Sequence, residues 1–138
     1  MDSIENIKAD ELEKLVQDSV YDHYGLPVVK DSEDNEWAIA MDAEERENAI
    51  RHYAEETLWM MGAGRLSRCT GVDENVFEAL CGLEEDANQA ILIIVHGTCG
   101  IEEVMQDILE DADYGEYLSS SNGEEVELAC GGYAYLVS

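Results

Sequence analysis

The chain has 138 residues and a formal charge of −26, from 33 acidic and 7 basic side chains. That length suits a single domain, residues 1–138, with one core. A carboxylate surplus this large excludes nucleic acid and anionic membrane as direct partners, since both are bound through cations. Leu, Ile, Val and Phe supply 32 residues and there is one proline, so the apolar content lies above the level at which highly charged chains stay disordered.

The charge is uneven. Lys8, Lys14, Lys30, Arg46, Arg51, Arg65 and Arg68 are all the bases, while residues 69–138 hold 16 acids and no Lys or Arg. The opening residues lack the apolar stretch of a secretory signal, and the longest apolar run, Ala90 to Val95, is too short to span a bilayer. The expectation is a cytoplasmic protein in which Cys69, Cys81, Cys99 and Cys130 are reduced and mostly buried.

In chain order, Leu12, Leu15, Val16, Ser19 and Val20 share one helical face over residues 10–22, with Asp10 as cap and Glu13 in the capping-box position; Tyr24 to Pro27 ends it. Residues 28–41 read as a hairpin around the polar turn Asp31 to Glu36. A helix over 43–61 follows, opened by Asp42 with Glu45 three residues on and stopped by Gly62-Ala-Gly64. A shorter helix over 72–83 has Thr70 and Asp73 spaced as a capping box. Residues 85–96 are apolar nearly all round and read as a central buried helix, with a strand through Ile91 to Val95 as the alternative. The helix over 101–112 is the clearest, with Ile101, Val104, Met105, Ile108, Leu109 and Ala112 on one face. The tail reads as a hairpin about Gly131-Gly132, with Cys130 opposite Tyr133, Leu128 opposite Tyr135 and Val126 opposite Val137, and with Glu125 and Glu127 on the other face. The fold class is therefore α+β, a single domain of four to five helices packed with short antiparallel hairpins.

Catalytic signatures are absent: no nucleophile elbow, P-loop, HExxH or dinucleotide fingerprint occurs. His23, His52 and His96 are far apart, and no close ligand pair marks a zinc site. The Asp31–Glu36 turn lacks the glycine and the distal glutamate of a calcium loop and reads as a solvated tip. No enzyme activity, metal or cofactor is expected.

What remains is the arrangement of acids. Helical neighbours at i, i+3 and i+4 lie about 5–6 Å apart, the scale of successive phosphates on one DNA strand. Glu103, Asp107, Glu110 and Asp111 form such a row, with Glu102 on the same polar face; Asp113 and Glu116 extend it past the helix, Glu84, Glu85 and Asp86 form another cluster, and Glu125 and Glu127 lie on the outward face of the last hairpin. Ordinary surfaces relieve like charges with Lys; residues 69–138 do not.

In size, charge and α+β character the chain resembles the small acidic proteins of phages and mobile elements that imitate DNA, of the anti-CRISPR and anti-restriction type. Glu36-Trp-Ala-Ile-Ala, Glu56-Thr-Leu-Trp59, the segment Leu118 to Leu128 and Tyr133-Ala-Tyr135 resemble segments of small acidic phage proteins. The resemblance implies a phage-encoded inhibitor acting in the bacterial host's cytoplasm. Its partner would be a basic nucleic-acid-binding protein, a Cas effector first and a restriction enzyme second, whose Lys/Arg-rich surface it occupies. The alternative is a non-enzymatic acidic adaptor or dimerising protein that binds through an apolar or aromatic patch, with Tyr133, Tyr135 and Trp59 as its centre. A third reading, an enzyme using Cys69, Cys81 or Cys99, carries no motif.

Overall fold

Seven α-helices and five β-strands follow one another along residues 4–19 and 21–138, the part described by this computed structural model. They are α1 (Ala9–Gln17), β1 (Asp22–His23), β2 (Leu26–Lys30), β3 (Glu36–Ala40), α2 (Ala43–Glu56), α3 (Ala63–Thr70), α4 (Glu74–Cys81), α5 (Asn88–Gly97), α6 (Ile101–Asp111), α7 (Tyr114–Leu118), β4 (Glu125–Leu128) and β5 (Gly132–Leu136). The class is α+β, with more and shorter helices than the four to five expected. Two compact units divide the chain, the first running to Ile50 and resuming at Ala112, the second covering Arg51–Asp111. Among the described residues no helix is long and apolar enough to cross a membrane.

The first unit contains an antiparallel sheet of order β1-β2-β3-β5-β4. Side chains alternate across it. One face carries Val29, Ile39, Ala134 and Leu128 against Ile4, Ile7 and Leu12, all buried. On the other face Val28, Ala38, Ala40 and Tyr135 are buried too. Helix α1 is shorter than expected and starts differently. Lys8 is the N-cap and makes no side-chain cap bond, while Asp10 accepts from the Glu11 N–H. The predicted box from Asp10 to Glu13 does not form, because both residues already lie inside the helix. After Gln17 the chain turns to sheet: Tyr24 and Gly25, at φ 52 and 81, make a two-residue turn that pairs His23 with Leu26. Val20, assigned by spacing to the α1 face, lies outside the described residues.

The β2–β3 hairpin forms as expected, and Asp31 organises its loop. Its carboxylate accepts from the Glu33 and Asn35 N–H groups at 2.8 and 3.0 Å, from Asn35 Nδ2 at 3.3 Å and from Trp37 Nε1 at 2.9 Å. The tip is thus a closed Asx-type turn with its carboxylate already engaged.

The last hairpin forms in a different register from the one predicted. Leu128 pairs with Gly132, Glu127 with Tyr133, Val126 with Ala134 and Glu125 with Tyr135. The loop is Ala129-Cys130-Gly131, closed by the Gly131 N–H donating to the Leu128 carbonyl at 2.9 Å, with Gly131 at φ 97. A three-residue loop ending in a left-handed glycine matches strand twist as well as the two-residue turn does. Sterics decide between them. Gly132 sits in the strand, where a Cβ would come 2.8 Å from the Ala40 carbonyl, so it is required there and is not part of the loop. The shift changes which residues share a face: Glu125 and Glu127 lie on the side of Tyr133 and Tyr135, not opposite them.

In the second unit, α2 ends at Glu56 and not at residue 61. Thr57 leaves the helical region, its Oγ1 donating to the Tyr53 carbonyl at 2.6 Å, and Leu58–Met60 forms a 3-10 turn. Gly62, read as a stop, instead leads into α3, which ends at left-handed Gly71. Thr70 closes α3 by donating to the Leu66 carbonyl, so the predicted Thr70–Asp73 box is replaced by Asp73 alone, accepting from the Asn75 N–H at 2.8 Å. The 85–96 stretch resolves as a helix. It is not buried all round: Ile91 and Val95 are buried, but Ile93 is 64% exposed. Helix α6 buries Ile101, Val104, Met105 and Ile108 as its spacing predicts, and packs with α3, which packs with α4.

Candidate acidic interaction surface

The four arginines are all engaged inside their own units, and this decides which acids stay uncompensated. In the second unit Arg51 pairs with Glu102, and Arg65 pairs with Asp111 and, at 3.4 Å, with Asp107. Arg68 donates to both Asp107 oxygens at 3.0 and 2.8 Å. Asp107 is half-buried beneath these two guanidinium groups, and its carboxylate in turn holds the Arg68 cation's pKa up. The sequence-predicted row on α6 is therefore interrupted. Glu102, Asp107 and Asp111 hold the helix to Arg51 and the α3 arginines, while Glu103 and Glu110 are exposed with no ion pair among the described residues.

Glu84, Glu85 and Asp86 lie together on a 3-10 turn (Glu84–Ala87) between α4 and α5, all exposed. Glu84 takes a left-handed backbone at φ 57, which costs a non-glycine residue about 1 kcal/mol or more. Asn88 anchors this region, its Oδ1 accepting from the Trp59 N–H at 3.2 Å and its Nδ2 donating to the Glu55 carbonyl at 2.7 Å.

Asp113, Glu116 and Glu127 are exposed in the first unit, but Glu125 is not a surface acid. Arg46 donates to its two oxygens at 3.1 and 3.3 Å, and the Tyr135 hydroxyl donates to it as well. The Arg46 Cζ lies 4.2 Å from the ring centroids of both Tyr114 and Tyr133, a doubled cation–π contact. Burial works against the Arg46 cation, yet Glu125 outweighs it and raises the pKa. Burial first, then the bond to Glu125, pushes the Tyr135 hydroxyl far above its ordinary range, so it remains a donor. The corrected register produces this cluster: only when Glu125 opposes Tyr135 do carboxylate and hydroxyl share a face.

That cluster was missed in the sequence. Arg46 lies 68 to 89 residues from the other members in the sequence, and the one available signal is that a scarce arginine in so acidic a chain must find a carboxylate. The aromatic patch expected for an adaptor is not exposed: Tyr135 is buried, Tyr133 packs on Arg46 and Trp59 is half-buried. The most exposed large apolar side chains are instead Met60, Leu83 and Ile93, each more than 60% exposed, followed by Tyr21 and Val76. The four cysteines are free and half-buried, not mostly buried. Burial raises the Cys69 thiol, with Asp107 adding to it, and burial raises Cys81; such thiols are poor nucleophiles. His23 Nε2 lies 2.7 Å from the Leu118 carbonyl, tying the β1 turn to the end of α7.

Compared with family models, with curated proteins and with solved structures, the chain matches none.

Proposed function

We propose that the protein is a non-catalytic, phage-encoded inhibitor that occupies the Lys/Arg-rich nucleic-acid-binding surface of a bacterial defence enzyme in the host cytoplasm. A CRISPR effector is the first choice, since its PAM site and guide channel depend on Arg and Lys, and a restriction–modification enzyme the second. The observation that carries this reading is the distribution of unpaired charge. Every arginine is engaged internally, yet Glu84, Glu85, Asp86, Glu103 and Glu110 on one unit and Asp113, Glu116 and Glu127 on the other stay exposed with no ion pair among the described residues. Carboxylates held on helices and turns steer encounter with a basic cleft, pair with its cations and exclude DNA by occupation.

The test is competition with labelled target DNA for a purified effector. Charge reversal at Glu103, Glu110, Glu84 and Glu85 should weaken inhibition at least tenfold and flatten its salt dependence. Inhibition indifferent to both charge reversal and salt sinks the reading. Asp107 is left out of the set because its reversal would set a cation against Arg65 and Arg68.

One observation favours the adaptor reading: Met60, Leu83 and Ile93 project into solvent from the second unit. If that reading holds, alanine at these three positions abolishes partner binding while charge reversal does not.

A further inference from the structure

The first unit contains a cavity of about 620 Å3 lined by Arg46, Asp113, Tyr114, Gly123, Glu124 and Glu125. Its walls are fixed by close backbone packing. Gly115 of α7 lies so near the 123–125 backbone that a Cβ there would come 2.5 Å from Glu124 C and Glu125 N. The loop before β4 is tied by Ser119, whose Oγ accepts from the Asn122 and Gly123 N–H groups at 3.3 Å and donates to the Leu136 carbonyl at 2.8 Å.

The electrostatics of this cavity are lopsided. The single cation, Arg46, is neutralised by Glu125. Asp113 and Glu124, which line it together with Tyr114, are left exposed with no ion pair among the described residues. A volume of this size has ample room for one arginine side chain. Carboxylates next to an aromatic ring select a planar, weakly hydrated cation over a compact, strongly hydrated one. Arg46 shows this chemistry at the same place, since a guanidinium already packs on Tyr114 and Tyr133 there.

We propose that this cavity receives an arginine side chain of the basic partner protein, its guanidinium held by Asp113 and Glu124. The inference rests on the reading of a basic partner given above and names one group by which that partner would be held.

The test needs no partner. N-acetyl-arginine amide is titrated into the full-length 15N-labelled chain and backbone amide shifts are followed. Saturable shifts are expected at Tyr114, Gly123 and Glu124, weakened about tenfold by D113N with E124Q. The pair E84Q with E85Q, which removes the same charge elsewhere, should leave them unchanged, and unaltered amide spectra away from the cavity show that both variants fold. Shifts spread over all acidic surfaces, equal weakening by the two pairs, or equally tight binding of N-acetyl-lysine amide overturns the assignment. Tighter binding of agmatine than of the blocked arginine would transfer the site to a free guanidino compound and equally overturn it. If titration fails while charge reversal at Glu84, Glu85, Glu103 and Glu110 still abolishes inhibition, the cavity assignment falls and the inhibitor reading stands. If titration succeeds while inhibition ignores charge, the reverse holds.

Discussion

Arg46 and Asp31 show how single polar groups organise a chain with few cations. Removing Arg46 would leave Glu125 half-buried with only the Tyr135 hydroxyl beside it, and would strip Tyr114 and Tyr133 of their shared partner. Breaking one side of a buried pair costs about 3–5 kcal/mol; because both partners keep 22% exposure here, Arg46→Ala should cost about 2–3 kcal/mol by urea unfolding. Arg46→Lys should recover only part of that, since an ammonium cannot reproduce the two-oxygen contact and the stacking. Asp31 gives a pH-dependent case. Burial raises its pKa, but the bonds from Trp37, Asn35 and Glu33 outweigh that and the net shift is downward. A depressed folded value means the stabilisation is complete above the unfolded Asp range, near pH 4, and is lost as pH falls through the folded value. Asp31→Asn should therefore be less stable by about 1 kcal/mol at pH 7, and the gap should close as pH falls through the lowered folded value. A gap that persists in acid would show that the carboxylate's charge is not what the loop uses.

At the scale of elements, close approach decided what periodicity could not. Alternation in residues 125–137 fits two registers equally well, and the choice fell to Gly132, which must lie against the Ala40 carbonyl. Gly115 plays the same part for α7. Gly115→Ala would drive a Cβ into backbone atoms that cannot move aside as a flexible side chain can, so it should destabilise by about 1–3 kcal/mol, read as a lower denaturation midpoint. Unchanged stability would mean that α7 is free to shift off the 123–125 segment. The missed break after Glu56 and the missed helix α3 have a related origin. The apolar spacing of a helix over 43–61 also fits one that ends at Thr57 and gives way to a 3-10 turn, and α3 follows glycines that read locally as a stop, its helix being held by packing against α4 and α6.

For the whole molecule, a charge of −26 opposes compaction through self-repulsion. Screening shortens from about 30 Å at 0.01 M salt to about 3 Å at 1 M, so the thermal midpoint should rise with added NaCl although individual ion pairs weaken. A falling midpoint would mean that the arginine pairs contribute more than the repulsion costs. The sequence by itself determined the α+β class, the β2–β3 hairpin, the apolar face of α6 and the lack of bases beyond Arg68. These depend on composition and on contacts between near neighbours, which a linear pattern records. Which acids are left uncompensated was decided only by the tertiary structure. Asp107 and Glu125 look like their neighbours Glu103 and Glu127 in the sequence, yet the first two pair with arginines 39 and 79 residues away and the second two face solvent. Pairing across such separations is set by how elements pack, and no local spacing encodes it.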